Sequence, residues 1–318
     1  MAIELSSLTF TNKADIVPLS GTDQIINTGI ANTLAGDDII TGTGSDPGIT
    51  NYGTINTDKG NDTITGNGGL GSFGFGIFNQ GPINTGDGND IITGTGRLGI
   101  YNTDIGSIDT GKGNDTITGN GDNTGIFNPH SGRIIDTGDG NDIITGTGEF
   151  GITNSGIIDT GNGNDIITGI ANKIFVGFSL PGIYQDPNGI INTGDGNDVI
   201  TGTGTGNNLG ISNYGTIDTG AGNDSIIANE GFSGTGTISL GNDKDYLKGF
   251  GSGNFNGGNG KDTLELTSGS YTIGISGTTV NFTNGSTIMK TSEFEKLIAG
   301  SKTYDFNSLT DGQTIIVA

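Results

Sequence analysis

Gly151-Ile-Thr-Asn-Ser-Gly-Ile-Ile-Asp-Thr-Gly-Asn-Gly-Asn-Asp-Ile-Ile-Thr-Gly-Ile170 is the shortest complete copy of a unit that recurs along most of the chain. Generalised, it reads G-I-x-N-x-G-x-I-[DN]-T-G-x-G-N-D-x-I-T-G. Its Asn-Asp pair returns at Asn61-Asp62, Asn89-Asp90, Asn114-Asp115, Asn141-Asp142, Asn164-Asp165, Asn197-Asp198 and Asn223-Asp224, with Asp37-Asp38 as a degenerate first copy. Steps of 23 to 33 residues separate the copies. A period in that range is the mark of a stacked repeat fold.

Three isoleucine columns run through the unit. The first is Ile49, Ile77, Ile100, Ile126, Ile152, Ile183 and Ile211; the second is Ile55, Ile83, Ile108, Ile135, Ile158, Ile191 and Ile217. The third is Ile64, Ile92, Ile117, Ile144, Ile167, Ile200 and Ile226. Polar residues or glycines flank each one, as a short strand with one buried side chain requires. Three such strands joined by glycine-rich corners make one coil of an all-β, right-handed parallel β-solenoid of three-sided section, in which each isoleucine stacks on its counterpart. At about 4.8 Å per coil, eight coils make a rod about 40 Å long. A further column, Asn51, Asn79, Asn102, Asn128, Asn154 and Asn213 with Gln185 standing in once, reads as amides hydrogen-bonded to one another at a corner.

Composition narrows the function. Of 318 residues 64 are glycine, which cannot sustain many helices. Acidic residues number 34 against 12 basic ones, for a net charge of −22, so nucleic acid is not an expected partner. Cysteine is absent, which excludes disulfides and thiolate metal sites. No apolar run approaches the ~20 residues of a membrane span, and Met1-Ala2-Ile3-Glu4-Leu5 does not read as a secretory signal. Catalysis finds no residues either: His130 is the lone histidine, Arg97 and Arg133 sit at variable corners, and Ser301-Lys302-Thr303 lacks phosphate-loop glycines. The chain is not expected to be an enzyme.

Thr85-Gly86-Asp87-Gly88-Asn89-Asp90-Ile91-Ile92-Thr93 is similar to the nonapeptide G-G-x-G-x-D-x-U-x of hemolysin-type (repeats-in-toxin) calcium-binding proteins, and Gly257-Gly258-Asn259-Gly260-Lys261-Asp262-Thr263-Leu264-Glu265 matches it throughout. The resemblance implies a fold related to the calcium β-roll and Ca²⁺ held between successive turns. The implied carboxylate ligands are Asp38, Asp62, Asp90, Asp115, Asp142, Asp165, Asp198, Asp224 and Asp262. The implied carbonyl ligands are Gly86, Gly88, Gly111, Gly113, Gly138, Gly140, Gly161, Gly163, Gly194, Gly196, Gly220 and Gly222. The unit departs from the family in offering one such turn per coil, which leaves the metal count open. Plain hydrogen-bonded Asx turns are the alternative, but a column of carboxylates about 5 Å apart repels itself without a cation.

The organisation expected is an N-terminal cap over residues 1–20, about eight to nine coils over 21–256, and a C-terminal β cap over 257–318. That last region is similar to the C-terminal part of repeats-in-toxin exoproteins, which implies type I secretion to the cell surface or extracellular space. The leading functional reading is a secreted calcium-binding structural or adhesive rod, with end-to-end self-association or a surface polysaccharide as its partners. A second is ice binding by outward Thr-x-Thr pairs: Thr41 and Thr43, Thr93 and Thr95, Thr145 and Thr147, Thr201 and Thr203, with Asn67 and Asn120 interrupting. A third is a binding module whose aromatic corner loops, Gly69 to Phe75 and Lys173 to Phe178, take a carbohydrate or another partner.

Overall fold

The structure is a computed structural model and describes residues 2–18, 23–174, 179–206 and 208–318. Among these there is no α-helix; strands and two single 3₁₀ turns make up the regular structure. The three isoleucine columns become three stacks of parallel strands. Third-column strands run from Ile16–Val17 through Ile39–Thr43 and Thr63–Asn67 to Lys296–Ala299. First-column strands run from Ala2–Glu4 to Phe232–Ser233. Second-column strands run from Ile30–Asn32 to Gly253–Asn256. The fold is a parallel β-solenoid. Its parallel pairing continues on both sides of the expected 21–256 span, through Ala2–Glu4 at one end and Met289–Ser292 at the other.

The three stacks form two sheets rather than three. The first and third share one 21-stranded sheet, and the second belongs to a 14-stranded sheet. Glycine is the reason. The inward positions between the third and first isoleucines are Gly42, Gly66, Gly94, Gly119, Gly146, Gly169 and Gly202, and a Cβ on any of them would lie 2.1 or 2.2 Å from a carbonyl oxygen of the same coil. On the facing glycines, Gly48, Gly76, Gly99, Gly125, Gly151 and Gly182, a Cβ would lie 2.2 to 2.5 Å from a backbone nitrogen of the next coil. Two glycine columns thus let the walls meet at a narrow corner, and in two coils the strand passes through it unbroken as Ile91–Asn102 and Thr116–Asn128.

A second corner, between first and second strands, is closed by the amide column. Asn51 donates from Nδ2 to Oδ1 of Asn79 at 2.9 Å, Asn79 to Asn102 at 2.9 Å, Asn102 to Asn128 at 3.1 Å and Asn128 to Asn154 at 2.8 Å. Asn154 donates to Gln185 at 2.8 Å, and there the amide ladder ends, because Gln185 donates to the Thr216 carbonyl and Asn213 to the Thr237 carbonyl. Asn27 extends it one coil earlier. Each amide is buried and also reaches a backbone carbonyl, such as Asn79 to Ser107 at 3.0 Å.

The isoleucines form one continuous apolar core that begins at Leu5 and Val17 and ends in the last strands. There Gly269–Ser276, Thr279–Asn284 and Thr287–Ser292 form an antiparallel meander, with Thr314–Val317 beside the first. Tyr271, Phe282, Met289 and Phe306 fill the end of the core. These aromatics close the rod where no further coil follows.

The glycine corner makes a sharp prediction. Gly119→Ala places a Cβ 2.2 Å from the Gly125 carbonyl, whereas nothing lies within 4 Å of a Cβ on Gly71 in a loop at the same corner. Thermal denaturation should show Gly119→Ala destabilised by about 1–3 kcal/mol or more, with Gly71→Ala close to the parent.

Candidate functional site

The third corner, between second and third strands, carries the D-T-G-x-G-N-D chemistry. Alternation along the third strand puts Asp90 inward, Ile91 outward and Ile92 inward, and the same holds in every coil. Asp38, Asp62, Asp90, Asp115, Asp142, Asp165, Asp198, Asp224 and Asp262 are all buried. Each Oδ1 accepts a backbone N–H from the preceding coil's aspartate: Asp38 N–H to Asp62 at 2.7 Å, Asp62 to Asp90 at 2.7 Å, Asp90 to Asp115 at 2.7 Å and Asp115 to Asp142 at 2.7 Å. The series continues through Asp165, Asp198, Asp224, Asp245 and Asp262, and ends on Glu295.

The neighbouring asparagine runs a second ladder in the opposite direction, outside the first. Asn89 N–H donates back to Oδ1 of Asn61 at 2.8 Å, Asn114 to Asn89 at 2.6 Å and Asn141 to Asn114 at 2.7 Å. A third ladder is buried beside the aspartates, where the Thr57 hydroxyl donates to the Thr85 carbonyl at 3.2 Å and Thr110 to Thr137 at 3.3 Å. The Thr, Asn and Asp of the motif therefore each have a coil-to-coil hydrogen bond without any metal.

What remains over is one oxygen per coil. Oδ2 of Asp38, Asp62, Asp90, Asp115, Asp142, Asp165, Asp198, Asp224, Asp245 and Asp262 is buried with no hydrogen-bond partner. Burial pushes these carboxyls up, with only partial relief from the backbone N–H groups that Oδ1 accepts. Asp62 and Asp262 rise to about 6, and Asp115, Asp165, Asp224 and Asp245 to about 7. Asp38, Asp90, Asp142 and Asp198 rise as well. A buried anionic oxygen without a partner needs a proton or a cation.

The implied carbonyl ligands are placed differently. Gly86, Gly111, Gly138, Gly194 and Gly220 accept the ladder N–H groups of Lys112, Asp139, Asn162, Ala221 and Asn242. The carbonyls of Gly88, Gly113, Gly140, Gly163 and Gly196 meet the next coil's glycine, so closely that a Cβ there would lie 1.4 to 1.6 Å away. Gly161 faces Gly194 in the same way, and Gly222 sits at φ +134° over Gly196. The corner thus aligns carbonyls along the rod and carboxylates into it. Among the described residues, no group of three or more His, Cys, Asp or Glu side chains is gathered as a metal cluster. What the column offers is one free carboxylate oxygen per coil, repeated along the corner.

Asp245 and Glu295 belong to the ladder, although they lie outside the Asn-Asp frame. In that coil Asn242-Asp243 forms the turn, with Asp243 at φ +83°, and Asp245 takes the inward place two residues before Leu247. Counting back two from each third-column apolar residue finds it. The buried threonine column, Thr57, Thr85, Thr110, Thr137, Thr160, Thr193 and Thr219, has as its sequence signal the Thr that recurs in [DN]-T-G.

A second feature lies on the outside of the third-column strands. Thr41, Thr65, Thr93, Thr118, Thr145, Thr168 and Thr201 stand in unbroken register over seven coils. Beside them run Thr43, Asn67, Thr95, Asn120, Thr147, Ile170 and Thr203 on one side, and Ile39, Thr63, Ile91, Thr116, Ile143, Ile166 and Val199 on the other. No charged side chain enters this face until Lys248, which follows Ile227 in register. On a chain of net charge −22 that is a distinct surface.

The aromatic corner loops divide. Phe75 folds back and is buried, whereas Phe73 is 67% exposed. Phe175 and Phe178 lie outside the described residues. His130 is exposed, as a loop residue should be.

No protein-family model matches this chain, and no curated protein matches it. Among solved structures, the X-ray crystal structure of a hyperactive, Ca²⁺-dependent, β-helical antifreeze protein from an Antarctic bacterium is similar at 22% identity and a TM-score of 0.40, over 81% of this chain and 78% of the other. Among the described residues no helix is long and apolar enough to cross a membrane.

The raised carboxyls set a pH dependence for the metal-free protein. Their folded pKa values exceed the usual 3.8, so the folded state holds more protons than the unfolded one between about 4 and about 7. Stability is therefore present at the acid end of that window and lost as pH rises through it. Thermal scans of calcium-stripped protein should give a higher Tm at pH 5 than at pH 8. A Tm that rises with pH would contradict the burial of these groups.

Proposed function

We propose that the protein is an extracellular, calcium-stabilised rod whose threonine face binds ice, and that it is not an enzyme. The observation that carries the reading is the unbroken, uncharged threonine column, Thr41 to Thr201, set between two further uncharged columns. Parallel strands hold these groups on a lattice of about 4.8 Å along the rod and about 6.6 Å along each strand. Such a face presents methyl and hydroxyl groups at fixed spacing, which suits an ordered sheet of water better than a mobile ligand.

Calcium would be held by the free oxygens of Asp38, Asp62, Asp90, Asp115, Asp142, Asp165, Asp198 and Asp224, extended by Asp245 and Asp262. Bound there, it would supply positive charge to a buried column that otherwise repels itself. The ion keeps the strands in register, and the register makes the face flat. Residues 257–318 close the rod and, by their resemblance to exoprotein C-termini, serve export by type I secretion.

The test is thermal hysteresis and ice-recrystallisation inhibition by the calcium-loaded protein. Activity should be present, and Thr118→Lys, at the middle of the face, should abolish most of it. Thr216→Lys, on an exposed second-column position, should leave it intact. A folded, calcium-loaded protein without activity toward ice would overturn the reading and leave a structural or adhesive rod in its place.

A further inference from the structure

The residues that follow the first-column isoleucines point outward in their own register: Ile26, Thr50, Phe78, Tyr101, Phe127 and Thr153. Phe78, Tyr101 and Phe127 form a ring stack with centroids 5.5 and 5.2 Å apart. The column steps abruptly from small to large at Phe78, which leaves a notch of about 640 Å³ over Ile26 and Thr50. Tyr52 flanks it, edge-on to Phe78 at 6.2 Å, and Phe73 reaches it from the variable corner, edge-on to Phe75 at 6.4 Å. Tyr52 is 52% and Phe73 67% exposed. Two large rings left in water beside one cavity mark a surface that is covered in use.

The rim is polar. Gln24, Asp46, Gln80 and Asp104 line it, and the Gln80 amide donates to the Asp104 carboxylate. Among the described residues no lysine or arginine lines it, and His130 is its one imidazole. That combination selects its ligand. The two carboxylates and the net charge of −22 repel an anionic polymer. An apolar ligand would cover the rings but offer nothing to the half-buried Gln24 and Gln80 amides or the exposed Asp46 and Asp104 carboxylates at the rim. A pyranose ring has an apolar C–H face for the aromatics and an edge of hydroxyls for the amides and carboxylates.

We infer that the notch between Tyr52, Phe73 and Phe78 is a binding site for a neutral oligosaccharide. The cavity falls within the roughly 300–1,000 Å³ that small ligands occupy, which is room for about two sugar rings. The site lies on the first strand stack, apart from the threonine face of the third, so it stands independently of activity toward ice. The Phe78 ring stands on a strand, Tyr52 and Phe73 on adjoining turns, and the Gln80 amide is held by Asp104, so part of the ordering cost is met before binding.

The experiment is saturation-transfer NMR and calorimetry on the calcium-loaded full chain with cellohexaose, laminarihexaose and maltohexaose. At least one should bind. Tyr52→Ala and Phe73→Ala, both at exposed rings and checked for unchanged circular dichroism, should each weaken it tenfold or more, while Thr118→Lys should not. The inference is overturned if no hexasaccharide binds the folded protein, or if binding survives both ring removals undiminished. Capture of an apolar peptide at the notch in place of any sugar would overturn it equally.

Discussion

In a stack of parallel coils every side chain lies against its own counterpart, about 4.8 Å above and below. That constraint decides which residues can occupy the interior of this rod. Isoleucine tolerates a copy of itself, because β-branched methyls interlock. Asparagine does better, because its amide donates on one side and accepts on the other, and the run from Asn27 to Gln185 uses both. Glycine tolerates it where two walls must touch. Aspartate does not: its carboxylate accepts from the previous coil, and a second oxygen stays buried beside others of the same sign. The corners are therefore unequal. Two are self-sufficient, and the third depends on a proton or a cation.

Much of this is legible in the chain because the constraint repeats it. The three isoleucine columns, the amide ladder and the Asn-Asp frame follow from spacing alone. What stays hidden has physical reasons. A glycine leaves no side-chain signal to separate a turn from a close approach, so the seam of Gly42 to Gly202 and its facing column cannot be told from ordinary corners. Asp245 escapes because its coil is short and its turn shifts by two residues, although the distance to Leu247 is kept. The aromatic column Phe78, Tyr101 and Phe127 escapes because the intervening loops differ in length. The first-isoleucine frame puts these residues one step on, but ring-to-ring contact across coils is a matter of side-chain placement that the frame does not carry.

The same constraint makes surfaces. Any outward position becomes a column, so a rod of this kind presents stripes rather than patches. The third stack offers uncharged threonine, isoleucine and asparagine, and the first offers small residues that give way to stacked rings. Along the acidic corner Lys59, Asp87, Lys112 and Asp139 alternate in register, which spreads charge where a uniform stripe would repel itself. The stripes exist only while the coils keep register, and so each of them inherits the requirement of the aspartate column.

The most direct measurement is far-ultraviolet circular dichroism of the full chain at pH 7.5, in excess chelator and then with calcium restored. Without the ion the carboxylate column is buried beside charges of its own sign, so the chelated chain should lose its β signal and calcium should bring it back in a cooperative step. A full β signal with unchanged thermal stability in the chelator would contradict the account. It would mean that the Thr, Asn and Asp ladders hold the corner without any ion.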